Sequence, residues 1–119
     1  MSKYNPVQPT TKITLGGVPY ELLFDINAVA LAEDTADRPL LTGLRQRDFA
    51  SPTISLVRAM LYACINALNP EVTYEQAKAF VTRKNLGEIW TTVLAAWVKG
   101  MAEPDPAKDG DGDPTQDQL

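Results

Sequence analysis

The side chains in this sequence whose spacing could support chemistry are carboxylates. Glu33 and Asp37 are four residues apart, which puts both on one face of a helix, with Asp34 beside them and Asp25 upstream. A metal ion or an acid–base pair would need such a group. The chain has no histidine, so it lacks the commonest metal ligand and the commonest general base. These carboxylates are therefore read as structural, with Asp25 capping a helix and the other three solvating its far end. The run DGDGD, Asp109 to Asp113, looks like the opening of a calcium loop, but no bidentate Glu stands at the twelfth position to complete one. Cys64 lies mid-helix among Tyr62, Ala63 and Ile65, away from any cation, and reads as a small buried hydrophobe. Ser51 and Ser55 have no histidine to activate them. Gly16-Gly17 lacks the further glycine and the Lys-Ser/Thr of a phosphate loop. The expectation is a chain that is not an enzyme and carries no catalytic residue, metal or cofactor.

Those residues need elements to position them. With 119 residues and 45% apolar content, the chain suits one small domain with a modest core. Residues 1–11 are polar with Pro6 and Pro9 and read as a flexible arm. KITL, Gly16-Gly17 and VPYELLF then form a β-hairpin, because glycine accepts the positive φ of a two-residue turn. Pro19, with no N–H to donate, belongs at an edge or a strand start. Ile13 and Leu15 share one face, and Tyr20, Leu22 and Phe24 alternate onto a face of their own strand.

A helix from Asp25 to about Ala36 carries Ile26, Val29, Ala30 and Ala32 at helical spacing. Residues 37–52 read as a long connector. Ser51-Pro52 signals a second helix from Thr53 to Leu68, apolar on more than one face and so the central one. Thr73 and Gln76 form a capping box for a short helix from Tyr74 to about Arg83, with Ala77, Phe80 and Val81 inward. From Asn85 to Met101 the apolar residues Leu86, Ile89, Trp90, Val93, Leu94, Trp97, Val98 and Met101 make one stripe. The fold class is thus mainly α with a short N-terminal β-hairpin (α+β) and about four helices, in one domain over residues 12–101.

Charge divides the chain differently. Residues 1–101 carry a net +1, whereas residues 102–119 carry −5. The second stretch, with three prolines and little to bury, reads as a disordered acidic tail. Neither part has the basic face that nucleic-acid binding needs. No run of about 18 apolar residues exists, so no membrane span is expected. The start MSKYNPVQPTTK lacks the apolar block of a secretory signal. The single cysteine fits a reducing cytoplasm.

Apolar residues exceed an obvious single core. Leu40, Leu41, Leu44 and Phe49 lie in the connector, and Trp90 and Trp97 are seven apart on the last helix. The tryptophans read either as core packing or as contacts to a partner. All six are candidate partner-binding residues, and a homo-oligomer would satisfy both readings.

The segments KITLGGVPYELLFD, INAVALAED, RAMLYACI and NPEVTYEQAKAFV, the last with Pro70, Thr73 and Ala77, resemble the small tail assembly chaperones of long-tailed bacteriophages and gene transfer agents. The resemblance spans about residues 12–100 and rests on apolar patterning. It implies a non-catalytic protein of the host bacterial cytoplasm that sheathes the apolar, helical tape measure protein, recruits tail tube protein, and is absent from the mature virion. The alternative within virion morphogenesis is a structural tail-completion or connector subunit.

Overall fold

The structure, a computed structural model, describes residues 10–102. The expected N-terminal arm before residue 10 and acidic tail after residue 102, including Asp109 to Asp113, lie outside the described residues. Strands β1 (Thr11–Leu15) and β2 (Val18–Leu22) pair antiparallel, with Leu15 opposite Val18 across the turn. Gly16 and Gly17 have φ of 58° and 80°, the left-handed values of a type I′ turn that suits the twist of a hairpin. Ile13, Leu15 and Leu22 are buried and Tyr20 half-buried, as alternation predicts. Leu23 is buried as well: the chain leaves the strand there, and its N–H donates to the Cys64 carbonyl at 3.0 Å.

Helix α1 spans Ile26–Ala36. The Asp25 carboxylate accepts the Ala28 N–H at 2.8 Å, the predicted cap. Its buried residues are Ala28, Val29 and Ala32, whereas Ile26 and Ala30 face outward. The inward face is thus rotated from the expected set. Asp37 ends α1 in the left-handed conformation, one that Asp tolerates better than most residues.

The connector is not featureless: it holds a five-residue helix α2 (Gln46–Ala50), so the described residues contain five helices where about four are expected. Helix α3 (Ile54–Asn66) starts later than Ser51-Pro52 suggested, because Thr53 Oγ1 accepts the Leu56 N–H and takes the cap. From Leu56 to Ile65 α3 is buried nearly all round, with Arg58 and Tyr62 half-buried. It is the axis of the core. Helix α4 (Tyr74–Phe80) has the predicted Thr73–Gln76 capping box, ends earlier than Arg83, and buries Ala77. Helix α5 (Leu86–Ala102) closes the body. Asn85 anchors its start by accepting the Thr82 N–H at 2.7 Å and donating to the Phe80 carbonyl at 2.8 Å. The sheet packs with β1 against α5 and β2 against α3, and α1 packs along α3. Gly100 is a contact rather than a weak point: a Cβ there would lie 2.2 Å from the Phe24 carbonyl oxygen, so α5 approaches the strand exit closely only because this residue is glycine. No helix among the described residues is long and apolar enough to cross a membrane.

Candidate partner-binding surface

The carboxylates take up structural posts, one of which the sequence reading did not foresee. Glu33 accepts the N–H groups of Leu40 at 2.8 Å and Leu41 at 3.2 Å, which folds the chain back over the end of α1. These two backbone hydrogen bonds hold its carboxyl below the ordinary Glu range. Arg38 donates to the Gly43 carbonyl at 3.0 Å and pairs with Asp48 at 3.1 Å. Asp48 also accepts the Arg45 N–H at 2.8 Å, and this bond, then Arg38, lowers its pKa. Gly43 packs so closely that a Cβ would lie 2.4 Å from the Pro39 carbonyl oxygen. The indole N–H of Trp90 donates to the Phe49 carbonyl at 2.8 Å and fastens this folded connector to α5.

The six candidate residues part company on this scaffold. Leu40 is fully buried, and Trp90 and Trp97 are 6% and 7% exposed. All three belong to the chain's own core, where Trp97 meets Phe24 edge-on at a ring distance of 5.1 Å. They are withdrawn as contact residues in this conformation, since a residue already covered offers no surface to a partner. Leu44 is half-buried and packs on the core. Leu41 and Phe49 remain outward, 51% and 38% exposed.

The structure adds Ile54, 50% exposed at the first turn of α3 and close in sequence to Phe49. In the sequence Ile54 is one more apolar residue of the Thr53–Leu68 helix. The signal that sets it apart is position: the first turn of a helix projects beyond the layer that covers its middle. Val98 and Met101 behave the same way at the other end of α5, and with Ile26 they are exposed around the junction where Gly100 meets Phe24.

Among the described residues no three side chains of the metal-binding types converge. Cys64 is fully buried, and desolvation raises its thiol far above the usual range, so it stays protonated. What the surface can do chemically is bury apolar area against another chain, with the Arg38–Asp48 pair and the Glu33 turn fixing the backbone beneath. No family model matches the chain, and no curated protein or solved structure matches it either.

Proposed function

We propose that this chain is a non-catalytic tail assembly chaperone of a long-tailed bacteriophage or gene transfer agent. In this reading it binds and solubilises the apolar, helical tape measure protein, helps recruit tail tube subunits, self-associates along its client, and stays in the host cytoplasm rather than in the mature virion. The observation that carries the reading is the set Leu41, Phe49 and Ile54, each at least 38% exposed: the first two on a connector tied down by polar contacts, the third at the first turn of α3 just after it. With that backbone pinned, Leu41 and Phe49 stay outward, where an apolar surface of a partner can cover them. Further support is the order of elements, hairpin then Phe24-Asp25 then helix, which follows the resembling segments. Docking an amphipathic helix takes an apolar strip with a polar rim, and a standard interface covers about 800 Å² per partner.

Co-expression with an apolar fragment of the tape measure protein is the test. The expected result is co-purification of the fragment in soluble form, with recovery reduced about tenfold by the triple substitution Leu41→Ser, Phe49→Ser and Ile54→Ser while the chaperone's own thermal midpoint hardly moves. An insoluble fragment and no co-purification would end the proposal. Finding the chain at fixed copy number in purified particles would favour a tail-completion subunit instead.

A further inference from the structure

The two edges of the hairpin are not equivalent. In a hairpin with a two-residue turn the pair flanking the turn exchanges both backbone hydrogen bonds, and the pairs alternate from there. Leu15–Val18, Ile13–Tyr20 and Thr11–Leu22 are therefore the bonded pairs, while Lys12–Glu21 and Thr14–Pro19 turn their backbone groups outward. On the β2 side that edge is partly closed: Pro19 has no N–H, and the outward Glu21 carbonyl accepts the Asn69 side-chain amide at 3.3 Å, which leaves the Glu21 N–H and the Pro19 carbonyl facing outward. On the β1 side Lys99 covers only the far end, donating to the Thr10 carbonyl at 3.2 Å. Among the described residues, the N–H and C=O of Lys12 and Thr14 have no partner. Beside them lies a cleft of about 250 Å³ walled by Thr14, Leu15, Phe80, Asn85, Glu88 and Ile89.

We propose that the outer edge of β1, from Lys12 to Gly16, binds an extended peptide segment of a partner protein by strand addition. Two residues with free donors and acceptors, about 7 Å apart along a strand, specify the occupant's backbone: it must be extended, and it can exchange up to four hydrogen bonds. The cleft specifies its side chains. A residue laid beside Ile13 or Leu15 points to the same sheet face as they do, toward Phe80 and Ile89, and must be apolar. A residue laid beside Lys12 points to the exposed face and suits threonine or glutamate, opposite in charge to the lysine or neutral. The occupant thus has an apolar residue at every second position. A second hairpin of this chain is a poor fit, because the helix already lying against β1 would meet its own copy across the pair. This inference is independent of the tape measure reading, which concerns the connector surface and a helical client.

The test uses the full chain, labelled for NMR, and a blocked synthetic peptide of about seven residues, a usual strand length, alternating valine and threonine with a central glutamate. The expected result is slowed hydrogen exchange at the Lys12 and Thr14 amides and shifts at Phe80 and Ile89, with no change at Leu41 or Phe49. Thr14→Pro removes only an outward N–H, as Pro19 does opposite, and should weaken binding at least ~5-fold without unfolding the hairpin. The same peptide with N-methylated threonines, which needs no protein variant, should lose binding similarly. Equal binding by Thr14→Pro and by the methylated peptide would overturn the proposal. So would no binding at all, protection centred on the connector, or Lys12 and Thr14 amides already protected without peptide, which would indicate self-pairing.

Discussion

Helix α3 and the connector before it are adjacent in the chain, and each buries leucine completely, yet they are held by different forces. α3 buries Leu56, Val57, Met60, Leu61, Cys64 and Ile65, and polar side chains serve only its ends, Thr53 at the start and Asn69, which donates to the Ile65 carbonyl at 3.0 Å, at the finish. The connector buries just Leu40 and is shaped by Glu33, Arg38, Asp48 and Trp90. The first is fixed by area removed from water, which is non-directional and tolerant of small shifts. The second is fixed by a few directional contacts, and so can hold Leu41 and Phe49 out in solvent. A region with little to bury keeps a defined shape only through such contacts, which makes the connector both the better docking platform and the softer part of the molecule.

The comparison is sharpened most by Leu61→Ala. It empties a site with no exposure and should cost about 2–5 kcal/mol in urea unfolding. A value under 1 kcal/mol would mean α3 is not the axis of the core. Gly43→Ala should have the next largest effect, about 1–3 kcal/mol, because the new methyl meets the Pro39 carbonyl and must displace it. Its damage should be confined to the connector, seen as faster amide exchange at Leu40 and Leu41 with α3 unchanged; uniform loss across both would erase the distinction drawn here.

The smallest effect is the acid response. Glu33 and Asp48 both have folded pKa values below their ordinary ones. Their stabilising contribution is therefore complete above the unfolded pKa and is lost as pH falls through the folded pKa. Between about pH 5 and pH 3 the Leu40 and Leu41 amides should lose protection before those of α3. Glu33→Gln should remove much of that dependence, and an unchanged acid profile in this variant would assign the response elsewhere.

The regular elements were legible in the sequence. The Gly16-Gly17 turn, the Asp25 cap, the Thr73–Gln76 box and the Val93 face of α5 each rest on contacts within a few residues, and local spacing reports those. The errors fall where a distant group decides. The α1 face was read with Ile26 inward, but the packing of α1 on α3 buries Ala28 instead. Ser51 looks like the cap of α3, but the structure uses it to end α2, its N–H donating to the Arg47 carbonyl, and the cap of α3 falls to Thr53. Of the six candidate contact residues, three turned out to be core, since an apolar side chain looks the same in sequence whether it is covered by its own chain or by another.

Taken alone, the sequence determined a mainly helical body behind a hairpin, because periodicity of two and of 3.6 and the chemistry of caps are properties of neighbouring residues. The tertiary structure alone decided which apolar residues remain outside, that Glu33 holds the connector, that Gly100 must lack a side chain, and that the β1 edge of the hairpin stays more open than the β2 edge. Each of those depends on groups up to dozens of residues apart meeting within a few ångströms, and no local pattern encodes that distance.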